Sequence, residues 1–289
     1  MNAILDQPGL NIFCKGNRLA AEAQTPVEEC ICRLCGATAD LKFDLQLVFG
    51  LTGHYYECRR CQFLRSDHLD DAAALRTVYS NTLGEADAGS GWRARCVSDR
   101  IMQLAAFGLF PRGQKCRFLD FGCGPGYVAN LLRFRKGWDA YGFEPFIPPV
   151  YLPSRVFVNR DQLLARSPFD LIIATEVLEH LVDPASELGK ISELLADTGF
   201  LYITTGLYKP GTLGKNWSYL VPHTGQHVSF YSRSAIKEVM RILGASVVYR
   251  TGAEYEWLFV RNRSQQWRAG VACKALTWLS SLRLIARIE

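Results

Sequence analysis

The chain has 289 residues, of which 48% are hydrophobic and 21% are charged, and these proportions are typical of a globular protein. The formal net charge is +5, and the six basic residues beyond residue 260, set against Glu289, account for it. The rest of the chain is therefore near neutral, which argues against a nucleic-acid enzyme with a basic working surface. No apolar run has the length of a membrane span. Residues 1–11 lack the pattern of a secretory signal, so we expect a cytoplasmic location.

The chain is predicted to open with a loose leader over residues 1–25, which are polar and aperiodic. The cysteine-rich segment 26–66 follows. Two C-x-x-C turns in this segment are separated by 22 residues, and their thiols are those of Cys32, Cys35, Cys58 and Cys61. Two such turns can present four thiolates tetrahedrally to Zn²⁺. We therefore predict a small zinc-ribbon-like module with a structural zinc ion.

Other uses of these cysteines stay open. A C-x-x-C pair also serves thiol–disulfide exchange, and buried cysteines are common without any ligand. Cys30 and His54 are spare ligands that could replace one of the four thiols.

Residues 67–115 are predicted to form a helical connector. Helical character centres on Ala72–Leu75, a glycine-rich flexible link covers 83–91, and a second helix runs through Ile101–Ala106. From Cys116 onward, short apolar strands alternate with helical stretches. The predicted strands are 117–121, 140–144, 155–158, 169–174, 199–204, 247–249 and 256–260, and the predicted helices are 128–135, 184–195 and 234–243. This alternation predicts an α/β domain over 116–260 with a doubly wound, mostly parallel seven-stranded sheet.

The strongest signal is a glycine-rich run between the first of these strands and the following helix. It reads Asp120-Phe-Gly122-Cys-Gly124-Pro-Gly126-Tyr127. Glycines let the backbone turn sharply and approach a ligand closely, and open parallel sheets bind ligands at the carboxyl ends of their strands. A dinucleotide fingerprint would need a small residue in place of Tyr127, and a P-loop would need Gly-Lys-Ser/Thr after the loop.

Two carboxylates favour a different ligand, a nucleoside with a cationic tail. Asp120 precedes the first glycine by two residues, and a carboxylate there favours an ammonium or sulfonium group. Glu144 ends the second strand, where it can accept hydrogen bonds from both ribose hydroxyls. A glycine-rich turn without any ligand is the structural alternative.

These residues resemble the class I S-adenosylmethionine-dependent methyltransferases, over about residues 90–260. The resemblance rests on Asp120–Gly126, on Gly142-Phe-Glu144-Pro and on the run from Phe169 to Leu181. It implies a Rossmann-like methyltransferase fold in which the glycine loop passes under the methionine part of the cofactor. The implied cofactor residues are Asp120, Gly122, Gly124, Gly126, Glu144, Asp161, Thr175 and Glu176. Of these, the resemblance implies that Glu144 holds the ribose, that Asp161 faces the adenine, and that Thr175 and Glu176 lie near the methyl group.

The cysteine segment resembles the N-terminal zinc-binding module of methyltransferases from sugar, surface-glycan and secondary-metabolite pathways. In that group an acidic-to-helical segment ending in a tyrosine follows the second cysteine pair, as Asp67–Asp71 and Val78-Tyr79 do here. The resemblance implies a small-molecule or sugar acceptor, methylated at oxygen or carbon. The alternatives are an RNA or protein methyltransferase, or an inactive scaffold that only binds the cofactor.

Two histidines are candidates for the catalytic step, because a hydroxyl or carbon acid must lose a proton during methylation. His180 follows Glu176 by four residues, a spacing with which the two can share one face of a helical turn. His227 lies in an aromatic-rich insert after the fifth strand, and some related sugar methyltransferases use the histidine of a similar stretch as base. Both could equally be structural. Aromatic candidates for a substrate pocket are Tyr79, Trp217 and Tyr219.

The C-terminal segment 261–289 has apolar residues at helical spacing among basic ones. We predict a basic amphipathic helix that packs on the domain or on a partner subunit. Peripheral contact with a membrane surface is the alternative. The pattern does not set the oligomeric state.

Overall fold

The computed structural model describes residues 27–82, 90–110, 113, 115–146, 149–251 and 254–285. The predicted leader and residues 83–89 of the predicted link lie outside these ranges. The chain divides into two compact units. The first is drawn from Met1–Glu85, Glu176–Lys190 and Thr205–Ile242, and the second from Ala86–Thr175, Ile191–Thr204 and Leu243–Glu289.

The strands and helices follow one another along the described residues. The strands are β1 (Glu29–Ile31), β2 (Thr38–Gln46), β3 (Thr52–Cys58), β4 (Leu64–Ser66), β5 (Arg117–Phe121), β6 (Asp139–Phe143), β7 (Val156–Phe157), β8 (Phe169–Thr175), β9 (Leu195–Thr204), β10 (Ser229–Phe230), β11 (Val247–Arg250) and β12 (Glu256–Val260). The helices are α1 (Ala72–Thr82), α2 (Ser90–Ala106), α3 (Tyr127–Lys136), α4 (Arg160–Leu164), α5 (Pro184–Leu194), α6 (Arg233–Ile242) and α7 (Gln266–Ile285).

The second unit contains a seven-stranded sheet in the order β11-β12-β9-β8-β5-β6-β7. The five strands from β9 to β7 run parallel, and β12 is antiparallel to both of its neighbours. β5 lies between β6 and β8, so the strand order reverses there, and the carboxyl edge at such a switch point is where open α/β sheets bind ligands. The predicted doubly wound, mostly parallel seven-stranded fold is confirmed.

The core of this unit explains why β8 has no alternation of apolar and polar residues. Leu171, Ile172 and Ile173 are all fully buried, as expected for a parallel strand that is covered on both faces. Side chains of α2 and α3, including Leu104 and Leu132, belong to the same buried cluster as Leu171. Burial of these side chains holds β5 and the loop after it in place.

The first unit contains a five-stranded antiparallel sheet in the order β1-β2-β3-β4-β10. Its last strand comes from far along the chain, with Ser229 paired to Arg65 and Phe230 paired to Leu64. Leu64 and Phe230 are also members of one buried aromatic cluster. Within the described residues, the insert after β9 therefore folds with the cysteine-rich segment, while the domain boundaries predicted from the sequence remain a prediction.

The remaining sequence predictions differ from the structure mainly at element ends. β9 begins at Leu195, four residues before the predicted start, because Leu195 pairs with Phe169 of β8. The predicted C-terminal helix corresponds to α7, whose side chains are described only to Leu279. Among the described residues, no helix combines the length and the apolar character that a membrane span requires.

Candidate functional site

The glycine loop of the second unit connects β5 to α3 in a left-handed backbone conformation. Gly122, Gly124 and Gly126 have φ angles of 72°, 51° and 86°, which residues with a Cβ adopt only at a cost. The N–H groups of Gly122 and Cys123 both donate to the carbonyl of Phe143, at 2.8 and 3.0 Å. At Gly124 a Cβ would meet nothing within 4 Å, so the backbone there lies open to a ligand.

Glu144 follows β6 and ties the glycine loop to that strand. Its carboxylate accepts the backbone N–H of Gly124 at 3.0 Å and that of Phe146 at 2.9 Å. The side chain is buried. A carboxylate has about four lone-pair sites, so these bonds are compatible with the ribose role predicted for Glu144.

Asp120 is a second buried carboxylate in this unit. Burial, and then the charge of Glu144, raises its pKa to about 7. No basic side chain contributes to that pKa among the described residues. A positively charged ligand would therefore stabilise the ionised form of Asp120.

Thr175 and Asp161 have different surroundings. Thr175 ends β8, and its buried Oγ1 has no hydrogen-bond partner among the described residues. Such an atom costs free energy unless a ligand or water satisfies it. Asp161 lies exposed in the first turn of α4, whose N-terminus is capped by the Asn159 side chain. The adenine role of Asp161 remains a prediction.

Glu176, the first residue after β8, begins a sharp change of direction in the first unit. Its φ of 52° is in the left-handed region, which costs a non-glycine residue about 1 kcal/mol or more. The chain then enters a short 3-10 turn, Leu178–His180. Such strain persists only where surrounding contacts maintain it, and functional sites are where it is commonly found.

Glu179, in this turn, is fully buried. Its carboxylate accepts the Tyr219 hydroxyl at 2.5 Å and the Thr205 hydroxyl at 3.0 Å. The Tyr219 oxygen also lies 3.0 Å from Oε2 of Glu176, so one hydroxyl contacts both carboxylates. Burial, and then the charge of Glu176, raises the pKa of Glu179 well above its ordinary value.

His180 and His227 come together beside this turn, with ring centroids 4.9 Å apart. His180 Nδ1 lies 3.1 Å from the Gln226 carbonyl oxygen, and His227 Nδ1 lies 2.7 Å from the Tyr219 carbonyl oxygen. Burial lowers the pKa of His180 to about 4 and that of His227 to about 3. Both imidazoles are therefore neutral near pH 7, with Nδ1 protonated and a lone pair on Nε2.

The three aromatic candidates are also in the first unit. The Tyr79 hydroxyl lies 3.4 Å from Nδ1 of His180. Tyr219 contacts His227, with ring centroids 4.7 Å apart, and the Trp217 ring lies tilted against Tyr219, with centroids 5.3 Å apart. The structure thus brings Tyr79 and Tyr219 to the two histidines, and it connects Trp217 to them through Tyr219.

The four cysteines of the two C-x-x-C turns form one cluster, as predicted. The sulfurs of Cys32 and Cys61 are 3.8 Å apart, and those of Cys35 and Cys58 are 3.4 Å apart. A tetrahedron of thiolates at about 2.3 Å from zinc has sulfurs about 3.8 Å apart. Backbone N–H groups of Arg60 and Cys61 approach Cys58 Sγ at 3.4 and 3.5 Å, and such bonds stabilise a thiolate.

The spare ligands do not join this cluster. His54 instead pairs with Asp44 through Nδ1 at 2.7 Å. Cys30 lies in β1 and is absent from the group of sulfurs that could share an ion. The set Cys32, Cys35, Cys58 and Cys61 is therefore the one that the geometry supports.

A comparison with known protein families shows which family this chain belongs to. A family described as "Methyltransferase domain" matches residues 91–250, more than half of the chain. The chain belongs to this methyltransferase family. The fold prediction and the resemblance to class I methyltransferases are therefore confirmed, and the methyltransferase domain includes the glycine loop, Glu144 and both histidines.

Curated relatives of this methyltransferase include two ubiquinone biosynthesis O-methyltransferases of Rhodopseudomonas palustris. The protein of strain BisA53 is 26% identical over 35% of this chain and 41% of the relative, and that of strain BisB5 is 24% identical over 51% and 65%. The methyltransferase thus matches less than two thirds of either relative's length. Among solved structures, the 1,6-didemethyltoxoflavin-N1-methyltransferase of Burkholderia thailandensis matches 76% of this chain and 97% of its own, with 15% identity and a TM-score of 0.48.

Sequence reasoning missed two residues of the histidine group in this methyltransferase. Glu179 stands beside His180 in the sequence, but nothing in that pattern indicates that its carboxylate is fully buried. Thr205 follows β9 and gives no local signal for its bond to Glu179.

Proposed function

We propose that this methyltransferase transfers the methyl group of S-adenosylmethionine to a small molecule or sugar, at oxygen or carbon. The observation that carries the proposal is the glycine loop with two buried carboxylates, Asp120 and Glu144. These carboxylates attract a sulfonium and an ammonium group and repel a pyrophosphate. An adenosyl ligand with a positive charge therefore suits the loop better than a dinucleotide does.

The residues present fit this cofactor. The open backbone at Gly124 and the carboxylate of Glu144 offer contacts to it. So does the hydroxyl of Thr175, which has no hydrogen-bond partner among the described residues. Asp161 toward the adenine and Glu176 near the methyl group complete the proposed set. When bound, the cofactor supplies an electrophilic methyl group on a sulfur that leaves with the bonding electron pair.

For the acceptor step we propose His180 and His227. Their Nδ1 atoms face backbone carbonyls, so each Nε2 keeps a lone pair. Such a lone pair activates a hydroxyl by taking its proton, or by holding a cation that makes the hydroxyl more acidic. In either case, removing an imidazole slows methyl transfer and spares the cofactor residues.

The acceptor is proposed to carry a hydroxyl group on a ring. The names of the curated relatives, O-methyltransferases of ubiquinone biosynthesis, favour oxygen over carbon as the atom methylated. Tyr79, Trp217 and Tyr219 offer aromatic faces, which pack well against sugar rings and planar metabolites. The contacts of Tyr79 and Tyr219 with the histidines favour these two as substrate residues.

We also propose one structural Zn²⁺ at the four cysteines. Their sulfur separations of 3.8 and 3.4 Å suit a tetrahedral ion. Cys32 lies just after β1 and Cys58 ends β3. The ion would therefore link separate parts of the antiparallel sheet in the first unit.

For α7 we propose peripheral contact with an anionic membrane surface on the cytoplasmic side. Trp267, Val271 and Trp278 are 63%, 54% and 65% exposed. Their spacing puts them on one helix face together with exposed Lys274. The helix contains no acidic residue, and a tryptophan-rich basic face is complementary to anionic lipid headgroups.

Calorimetry on the full chain tests the cofactor assignment. S-adenosylmethionine and S-adenosylhomocysteine should bind, and NAD⁺ should not. Release of S-adenosylhomocysteine in the presence of a panel of phenols, sugars and nucleotide-linked sugars then tests turnover. Tight NAD⁺ binding without heat from either adenosyl ligand would end the proposal, and cofactor binding without turnover on the whole panel would favour the inactive scaffold.

A further inference from the structure

Three side chains of the first unit bring metal-ligating atoms together outside the cysteine cluster. A carboxylate oxygen of Glu179 and one imidazole nitrogen each of His180 and His227 lie within 4.8 Å of one another. Glu179 and His180 are adjacent in the 3-10 turn, and His227 lies two residues before β10. The N–H of Val228 donates to the Glu179 carbonyl at 2.8 Å, so the backbone itself holds the two segments together.

Both imidazoles have the tautomer that metal-binding histidines usually have. A backbone carbonyl can only accept a hydrogen bond, so the Nδ1 atoms of His180 and His227 are the protonated ones. The two Nε2 atoms are then the atoms with lone pairs. Nδ1–H bound to a carbonyl, with Nε2 left for the ion, is the arrangement that fixes the tautomer and ring orientation of metal-binding histidines.

The carboxylate of Glu179 is fixed in position by hydrogen bonds. Glu179 is fully buried, and the hydroxyls of Thr205 and Tyr219 both donate to it. The Tyr219 hydroxyl has a single proton, yet its oxygen is also 3.0 Å from Glu176. The two carboxylates are thus close together around one hydroxyl, and a cation would relieve their repulsion.

We propose that Glu179, His180 and His227 bind a divalent transition-metal ion through one carboxylate oxygen and the two Nε2 atoms. Two imidazoles and one carboxylate suit ions of the manganese-to-zinc series, whereas Mg²⁺ and Ca²⁺ prefer shells made of oxygen. Three protein ligands leave coordination positions open, which is typical of catalytic and not of structural sites.

The inference rests on the proposed methyl transfer and gives the histidines a definite part in it. The ion would bind the acceptor oxygen and lower the pKa of its hydroxyl. The O–H bond breaks and its proton passes to water, while the new O–CH₃ bond forms. The C–S bond breaks at the same time, and its electron pair stays on sulfur, so no oxidant or reductant is needed.

Mn²⁺ is the probe that separates this group from the cysteines, because thiolate sites select zinc and other softer ions. The full chain is purified with its cysteine metal in place and titrated with Mn²⁺, and free Mn²⁺ is followed by electron paramagnetic resonance. We expect one Mn²⁺ per chain, and at least about 10-fold weaker binding in His227→Ala and in Glu179→Gln. The control is His223→Ala, since His223 is an exposed histidine of the same loop outside the group.

The outcomes separate the metal site from the enzyme activity. Mn²⁺ binding that is equal in the wild type, His227→Ala and Glu179→Gln would overturn the site; Glu179→Gln preserves the side-chain shape if His227→Ala fails to fold. Full turnover after chelation, with the cysteine zinc still present by metal analysis, would overturn the metal step and leave methyl transfer standing. Mn²⁺ binding at His227 without S-adenosylhomocysteine release would support the site and count against the proposed function.

Discussion

The backbone N–H of Gly124 donates to the carboxylate of Glu144 over 3.0 Å. One side chain after β6 thereby fixes the middle of the loop that follows β5. Because Glu144 is also the proposed ribose ligand, the bond links the order of the loop to occupation of the cofactor site. Changes at Glu144 should therefore affect the whole cofactor and not only its sugar.

Replacing Glu144 by Gln keeps the shape of the side chain and removes its charge. Hydrogen bonds to a charged group contribute about 1.5–3 kcal/mol, so S-adenosylhomocysteine should bind about 10- to 100-fold more weakly. Calorimetry measures the change. The matched control is Glu193→Gln, because Glu193 is exposed and its carboxylate forms an ion pair with Arg160. Equal affinity in the two variants would remove Glu144 from the cofactor site.

Cofactor affinity should depend on pH through Asp120. Burial, and then the charge of Glu144, raises its pKa to about 7, so below pH 7 the free chain must lose a proton before this carboxylate can face a cation. The affinity for S-adenosylmethionine should therefore fall up to about tenfold per unit between pH 7 and pH 5. Calorimetry at several pH values measures this slope.

Uncharged adenosine is the ligand control, and its affinity should stay flat over the same range. The variant Asp120→Asn should lose the pH dependence. It should also resist denaturant better than the wild type near pH 8. The reason is that Asp120 keeps its proton up to about pH 7 in the folded chain but only up to pH 3.8 in the unfolded chain. Its contribution to the free energy of unfolding is therefore fully present below pH 3.8 and is lost as the pH rises through 7. If the affinity of Asp120→Asn still changed steeply with pH, another group would be responsible for the pH dependence.

Turnover should depend on His227 and not on its neighbour His223. Loss of the His227 imidazole removes a group that activates the acceptor, so His227→Ala should lower kcat by about 10². The cofactor dissociation constant should barely change, because the cofactor residues are untouched. The rate of S-adenosylhomocysteine release measures the turnover of His227→Ala and of the control His223→Ala. Unchanged turnover in His227→Ala on the true acceptor would exclude it from the reaction.

The cysteine cluster should contribute to folding of the first unit. Cys58→Ser removes one sulfur ligand, so one zinc ion per chain should be lost and the melting temperature should fall. Elemental analysis and thermal unfolding measure the two effects. Cys96→Ser is the control, because Cys96 is exposed on α2. Equal zinc content in both variants would show that Cys58 is not a ligand.

Vesicle flotation addresses the exposed face of α7. The full chain should float with vesicles that contain phosphatidylserine and less with pure phosphatidylcholine, because the face is basic as well as apolar. The double variant of Trp267→Ala and Trp278→Ala should lose most of this binding. Phe134→Ala on α3 is the control, since Phe134 is 87% exposed on another helix. A wild-type chain that stays in solution with both vesicles would refute the membrane contact.

Local pattern was enough to predict the parallel sheet and the glycine loop. Strand β8 contains the continuous apolar run Leu171–Ala174 before Thr175, and the run Asp120–Gly126 lies between a strand and a helix. The spacing of the two C-x-x-C turns also predicted the cluster of four cysteines that the structure contains. In each case the signal lies within a few neighbouring residues, so distant contacts were not needed to interpret it.

Other features depend on contacts between distant residues. β10 has only two residues, Ser229 and Phe230, too few for any periodic signal, and it exists because Leu64 and Arg65 pair with it. The burial of Glu179 likewise depends on Thr205 and Tyr219, which lie 26 and 40 residues further along the chain. Sequence reasoning could propose the histidines, but it could not predict the carboxylate beside them.

The late arrival of β10 affects how the protein can be made and divided. Until Phe230 has been synthesised, β4 has no neighbouring strand on one side. It is then an open sheet edge that could pair with another chain. The N–H of Ser66, which donates to the carbonyl of Val228 at 2.8 Å, also has no such acceptor until Val228 has been synthesised. The cysteine-rich segment 26–66 produced alone should therefore aggregate, and a swap of this segment between homologues should include β10 as well.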